Sequence, residues 1–533
     1  MHACLHVDEI VRFIACEIVS SRGLATAVAL ACCCQSFGDP ALDALWETQG
    51  RLAPLLKTLP GDVWDECKRT VSARASYLVS FLNHLIRKCF RRLPTTLELA
   101  RFRKYARRMR KFTEFGSLSS ATPEVFLVLQ HSSLNEPLFP NLKTLELVST
   151  AAEFLPFILL FISTGTTEIN ITFNTRRLSP ALLASTINTF STRCPNLQHI
   201  SLCCLPRAPM VTKAASELLL TINIRNTLLT FDVDSPLTEE ARGVVHKLPD
   251  LGWLTVVTEK GTSLPSPMLP SLTGLTIIQR DHGRDWLEMF YGATFGKLKT
   301  INVVSEYEQI GNFLGEFERA ALAVSVQNTP SNFVLYTICS WNPNFSSLLS
   351  FTQTKTLKIH FPCNNGCSSR VDDDAIINLA RAMPKLETLQ LGDTPCRRIT
   401  AGVTTNGLMV LAHHCPNLSS LYIHFQAASL SAPPETFGMT PNAEPAVLRR
   451  DCALRSLTVG AIPIPEQSVL TVTATLVRIF PQIESIVYVD PGWEKVVNAI
   501  HSSRQIVDRS SKQHPLATGW SSLKDASSGA PVL

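Results

Sequence analysis

The chain has 533 residues, 45% of them hydrophobic and 17% charged, with a net charge of +5. This composition supports a large core and excludes both a wholly disordered chain and a globally basic nucleic-acid binder, so charge arguments have to be local. Sixteen cysteines are scattered along the length, include the triplet Cys32, Cys33 and Cys34, and follow no signal peptide, so reduced, buried thiols are expected.

Asp8 and Glu9 interrupt the start before an apolar run can develop, and the longest later run, Phe154 to Ile162, is too short to cross a bilayer. The expectation is a soluble protein of the cytoplasm, the nucleus or both, with no membrane partner. Within residues 1–50, Val7, Ile10, Val11, Ile14 and Ile18 recur at helical spacing, and a second helix is expected from Leu24 to about Cys34. A third is expected to start at Asp39-Pro40, Asp39 capping and Pro40 taking the first helical position, with Leu42, Leu45 and Trp46 on one face.

Residues 51–105 read as a helical, basic linker. Between Arg87 and Lys111 the basic side chains are opposed only by Glu98, and Phe90, Phe102 and Tyr105 interleave with them. Phosphate contacts with aromatic stacking, a nuclear import signal and a solvated helix leading into the next domain are the three readings of this segment.

From 106 to 500 one phrase recurs: Pro140-Asn-Leu-Lys-Thr-Leu-Glu-Leu147, Pro195-Asn-Leu-Gln-His-Ile-Ser-Leu202, Pro384-Lys-Leu-Glu-Thr-Leu-Gln-Leu391 and Pro416-Asn-Leu-Ser-Ser-Leu-Tyr-Ile423. Counted from the proline, apolar residues fall at offsets two, five and seven, the L-x-x-L-x-L core of a leucine-rich repeat. Weaker copies start at Pro249, Pro270, Leu298, Leu454 and Pro481, and a degenerate first copy pairs Met109 with Phe112. The wide intervals between Pro140, Pro195 and Pro249 predict an unrecognised repeat or a loop insertion in each. Helices are expected after Ser179-Pro180, after Ser235-Pro236 and after Asp372, where acids complement the helix dipole.

The predicted fold is therefore α/β: a solenoid with a curved parallel sheet and outer helices behind a small all-α head, with a flexible tail over 501–533. Side chains alternate along a strand, so the residues between the inward leucines face solvent on the concave side. Glu146, His199, Ser201, Trp253, Asn302, Gln390, Tyr422 and Thr458 are the candidate partner-binding residues on that face.

The stretch Val7-Asp-Glu-Ile-Val11, Leu24-Ala-Thr-Ala-Val-Ala-Leu-Ala-Cys32, Ser36-Phe37 and Pro40-Ala-Leu-Asp-Ala-Leu-Trp46 resembles an F-box, with His6-Val7 where the family opens on Leu-Pro. Together with Tyr105-Ala-Arg-Arg-Met-Arg-Lys-Phe112 leading into the repeats, the chain is similar to the F-box and leucine-rich-repeat proteins of mushroom-forming fungi. The resemblance implies that Val7, Ile10, Val11, Ile14, Leu30, Leu45 and Trp46 contact a Skp-type adaptor or hold the bundle that does. It also implies a substrate receptor for a cullin-type SCF ubiquitin ligase, whose target protein the sequence does not name. The alternatives are a plain repeat scaffold and a nuclear or RNA-associated factor using residues 87–111.

No enzyme is expected. There is no glycine-rich phosphate loop, no H-E-x-x-H and no G-x-S-x-G. His360, Cys363 and Cys367, with distant Cys396, lack a second tight pair, so no metal or cofactor is expected either. Cys415 and Cys194 share a Cys-Pro-Asn-Leu context and are read as core.

Overall fold

The computed structural model describes residues 7–21, 23–68, 86–115, 121–132, 137–150, 152–173, 178–223, 227–245, 247–258, 271–279, 297–305, 331–337, 348–349, 351–360, 371–392, 402–425, 430, 452–459, 463–488 and 490–513. The chain divides into two compact units, Met1–Leu298 and Lys299–Leu533.

The first unit opens with three helices, α1 (Asp8–Ser20), α2 (Leu24–Cys33) and α3 (Gln35–Glu47). Small residues let them approach closely: Ala15, Ala41 and Ala44 form the centre, with Cys16, Val19, Leu30 and Ala31 packed around them. The third helix starts four residues before the expected Asp39-Pro40, leaving Pro40 inside it. Asp39 does not act as its cap and instead meets Arg108 at 2.5 Å.

Residues 51–105 are not only helical. They hold the helix α4 (Ala53–Leu56), an antiparallel hairpin of β2 (Trp64–Lys68) with β3 (Ile86–Phe90), and the helix α5 (Thr96–Ala106). Thr95 and Glu98 start α5 as a reciprocal capping box, which satisfies two of the helix's orphan donors. Cys67 and Cys89 are joined by a disulfide across the hairpin, contrary to the expectation of reduced thiols throughout.

A parallel sheet fills the rest of the first unit. It begins at β1 (Thr48–Gln49), directly after the helical head, and continues through β4 (Lys111–Phe115), β5 (Thr144–Thr150), β6 (Glu168–Phe173), β7 (His199–Cys203), β8 (Thr230–Val233), β9 (Trp253–Thr258) and β10 (Gly274–Gln279), each beside the last. Phe112, Leu145, Ile169, Ile200, Phe231, Leu254 and Leu275 stand in register and are all buried, forming one continuous apolar column. Each such side chain contributes about 1.5–3 kcal/mol relative to exposure. The wide proline intervals hide full strands, β6 and β8, whose Glu168-Ile-Asn-Ile171 and Thr230-Phe-Asp-Val233 keep the frame without the proline.

The second unit repeats the plan with β11 (Thr300–Ser305), β12 (Asn332–Thr337), β13 (Thr356–His360), β14 (Thr388–Leu391), β15 (Ser420–Tyr422), β16 (Ser456–Thr458) and β17 (Ser485–Val487), all parallel. Helices α10 (Asp373–Ala382), α11 (Thr405–His414) and α12 (Val469–Ile479) connect strands, and α13 (Gly492–Gln513) follows the last one. That final helix runs beyond residue 500, where the tail was expected to begin.

The recurrent proline explains how helix becomes strand. A residue before proline is driven out of the helical region, and the helix stops there. Cys194, Met383, Cys415 and Phe480 are these stops, with φ between −126° and −113° and ψ between 65° and 77°. In each case its carbonyl accepts the N–H of the offset-two residue, Leu197, Leu386, Leu418 or Ile483, closing a turn that delivers the buried leucine to the next strand.

Helix starts also carry the array. Ser179 caps α7 (Pro180–Arg193), whose Leu183, Ile187 and Phe190 are buried together with Cys194 as expected. Asp372 caps α10, and neighbouring Asp373 accepts the N–H groups of Thr404 and Gly407 at 2.8 and 3.2 Å, so one repeat's carboxylate caps the next repeat's helix. A Cβ on Gly407 would meet that carboxylate at 2.5 Å. The helix expected from Ser235-Pro236 begins later, as α9 (Glu239–Val245), because Ser235 is buried near the Thr212 hydroxyl of α8 (Pro209–Asn223) and Thr238 supplies the cap.

Candidate interaction surfaces

The helical head leaves apolar side chains uncovered. Val11 and Ala15 face the bundle, while Val7, Ile10 and Ile14, at spacings that share a helix face, are 42%, 38% and 37% exposed. Phe13 is 72% exposed, and on α2 Leu24 and Val28 are exposed as well. Phe13 was missed in the sequence because it falls outside the periodic set of α1, while Leu24 and Val28 lie in the F-box-like stretch but outside the contact residues the resemblance implies. Leu30 and Leu45 are half-buried. Trp46 lies on Tyr105, ring centroids 4.8 Å apart, which ties α3 to α5.

The basic segment is used within the fold. Arg108, 12% exposed, binds both Asp39 and Asp43 of α3. Lys88 pairs with Glu66 and sits 4.1 Å from the centre of the Trp64 ring. Arg91 meets Asp65 at 3.0 Å, Arg92 meets Asp62 at 2.8 Å and Glu98 at 2.7 Å, and Lys111 meets Glu146 at 3.6 Å. Hydrogen bonds from Arg92 and from the Thr95 N–H hold the Glu98 carboxyl down at about 2. Arg103 and Arg110 donate to the carbonyls of Ser132 and Asn141. Within the segment only Glu98 opposes these charges; the fold brings in Asp39, Asp43, Asp62, Asp65, Glu66 and Glu146.

The outward side chains of the first sheet bond to one another. Thr144 donates to Glu168 at 3.0 Å, His199 shares a hydrogen bond with Thr230 at 2.9 Å, and Ser201 and Thr255 both donate to Asp232, at 2.8 and 2.5 Å. Trp253 lies over Gly274, where any Cβ would enter its indole ring at 1.9 Å. Asp232, the hub of this network, went unmarked because its strand lacks the proline.

The second sheet differs. Asn302 stands in register with Val334 on β12. Further along, Gln390, Tyr422 and Thr458 line one cavity of about 290 Å³ with Lys358, Thr388, Leu389 and Ser420. Tyr422 is 7% exposed, far less open than expected of a face residue, and its hydroxyl lies 3.3 Å from His424 Nε2. Lys358 was also missed, since Thr356-Leu-Lys-Ile359 carries the frame without the proline phrase.

No protein-family model and no curated protein matches this sequence.

Of the suspected metal ligands, His360 stacks on Tyr336 with centroids 4.3 Å apart, and Cys363, Cys367 and Cys396 lie outside the described residues. Among the described residues no three His, Cys, Asp or Glu side chains form a group that could hold a metal ion, and no helix is long and apolar enough to cross a membrane.

Cys194 and Cys415 are core, as their shared context implied; the Cys415 thiol lies 3.6 Å from the Met383 carbonyl. Burial pushes both thiols up to about 12, and does the same to Cys203. Cys32 and Cys33, expected to be buried, are exposed in the last turn of α2. Mass-spectrometric footprinting with iodoacetamide at pH 8 should therefore label Cys32 and Cys33 and spare Cys194 and Cys415 until the chain unfolds. The folded state holds those buried protons more tightly than the unfolded state does. Stability is therefore intact below the ordinary thiol value of 9.0 and falls as pH rises from there toward 12, seen as a declining urea midpoint.

Proposed function

We propose that the chain is a non-catalytic bridging protein, the substrate receptor of a cullin-type ubiquitin ligase. In this reading the F-box-like head docks a Skp-type adaptor and the leucine-rich-repeat sheet holds a target protein. The observation that carries it is the uncovered apolar set Val7, Ile10, Phe13 and Ile14 on a head joined to the sheet by β1 and by Arg108. Exposed apolar clusters on otherwise polar surfaces mark protein interaction sites. Val11 and Trp46 hold the bundle, and Ile10, Phe13 and Ile14 supply the contact.

Function then rests on effective concentration: the bridge raises the local concentration of target beside a transferring enzyme carried by the complex, and no residue of this chain takes part in bond making. Residues 87–111 act as internal ties in this scheme, which leaves few of their charges for phosphate.

The test is capture of purified Skp-type adaptor by the full chain against a variant carrying Ile10→Asp and Phe13→Asp, both at exposed positions. Loss of two central apolar anchors should weaken capture by about a hundredfold or more, since each such anchor is worth about 2 kcal/mol. Equal capture by both proteins, or none by the wild type, refutes the ligase reading and leaves a repeat scaffold.

A further inference from the structure

The strands of the two units differ in their outward polar groups, above all in carboxylates. In the first, Glu146, Glu168 and Asp232 are answered by Lys111, Thr144, Ser201 and Thr255. In the second, the registered outward column reads Thr300, Asn332, Thr356, Thr388, Ser420, Ser456 and Ser485, and the next reads Asn302, Val334, Lys358, Gln390, Tyr422, Thr458 and Val487. Neither column contains a carboxylate.

Lys358 is the one charged residue in either column, and it is half-buried at the cavity that Thr388, Gln390, Ser420 and Thr458 also line. Among the described residues nothing bonds to its ammonium, to those three hydroxyls or to the Gln390 amide. A half-buried ammonium among neutral donors favours an oxygen-rich anion that accepts several hydrogen bonds together. One positive charge matches a monoanion; a phosphomonoester, carrying about −1.5 to −2 near neutral pH, would leave excess charge in the cavity.

We propose that this cavity is a carboxylate-binding site, taking an aspartate or glutamate side chain of an acidic segment in the bound protein. Lys358 supplies the charge, Thr388 and Ser420 donate hydroxyl protons to the carboxylate oxygens, and the Gln390 side-chain N–H donates as well. The proposal rests on the reading of the sheet as the target-holding surface and names the chemistry that the target presents there.

Saturation-transfer NMR on the full chain with N-acetyl-Gly-Glu-Gly-amide, its glutamine counterpart and its phosphoserine counterpart tests this. The glutamate peptide should bind about tenfold more tightly than the glutamine peptide, the size of one charge-assisted hydrogen bond. Lys358→Met should erase that difference, Lys358→Arg should retain it, and Gln390→Met should reduce it, with unchanged circular dichroism in all three. Equal binding of the glutamate and glutamine peptides, discrimination that survives Lys358→Met, or preference for phosphoserine overturns the proposal. Adaptor capture, measured on the same variants, stays at the wild-type level if the head alone carries it. Failure of adaptor capture in every protein would sink the ligase reading without touching the peptide result.

Discussion

Phe161→Ala should destabilise the first unit by about 3–5 kcal/mol, the range for deleting a buried phenyl ring that leaves a cavity behind. Phe161 has no exposure, stacks on Phe139 at 4.9 Å with 11° between planes, and meets Phe112, also at 4.9 Å. Phe126 joins it at 6.3 Å and carries the contact on to Phe154 and Phe157. These rings come from β4, α6 (Pro123–Ser132), the proline turn, the 3-10 segment Ala152–Leu160 and Phe161 directly after it, so one deletion loosens several elements at once. Hydrogen exchange should show early loss of protection in β4, β5 and β6. A cost under about 1 kcal/mol would mean that the surrounding rings collapse into the space and that the cluster is not a rigid core.

Trp493→Ala is the corresponding prediction for the second unit, again about 3–5 kcal/mol. Trp493 is fully buried near the start of α13 and meets Phe425 edge-on at 6.0 Å. A repeat array needs a terminal element that covers its last apolar layer, and α13 supplies one through this ring. The loss should appear as faster exchange in β16 and β17 and as a lower urea midpoint. Trp493→Phe, which keeps an aromatic edge against Phe425, should recover at least half of the cost; no recovery would show that ring size and not mere coverage decides the site.

The sequence disclosed the repeat wherever the proline was present. Pro140, Pro195, Pro384 and Pro416 each open a turn of chain and set the strand that follows, so a short phrase reports a whole strand-and-turn unit. Strands β6, β8, β12 and β13 were hidden because only their inward residues, such as Ile169 and Ile171 or Phe333 and Leu335, keep the pattern, and two apolar residues two apart are too common to stand out. The head's helices were legible from spacing, whereas its outward face was not. Periodicity marks an apolar stripe but does not say which edge of it a neighbour covers, and here Ala41 and Ala44 pack with Ala15 and Val11 is buried, while Ile10 and Phe13 stay open. The cavity around Lys358 was half visible: Gln390, Tyr422 and Thr458 follow from strand alternation, but Lys358 depends on which strand lies beside β14.

The short strand β1 has a bearing on how this protein can be dissected. Thr48 and Gln49 pair with Lys111 and Phe112, and the Glu47 carbonyl accepts the Arg110 N–H, so the helical head ends by closing the open flank of the sheet. Cutting the chain near residue 50 would strip that flank and leave β4 with free backbone donors and acceptors, a template for pairing with another chain. A headless truncation should therefore self-associate in a concentration-dependent way, and lost binding in such a fragment would report a new oligomer and not a missing docking site. Point substitutions on the outer face of α1 keep the flank sealed, so the two proposed binding surfaces can be tested separately on a chain whose sheet edge is intact.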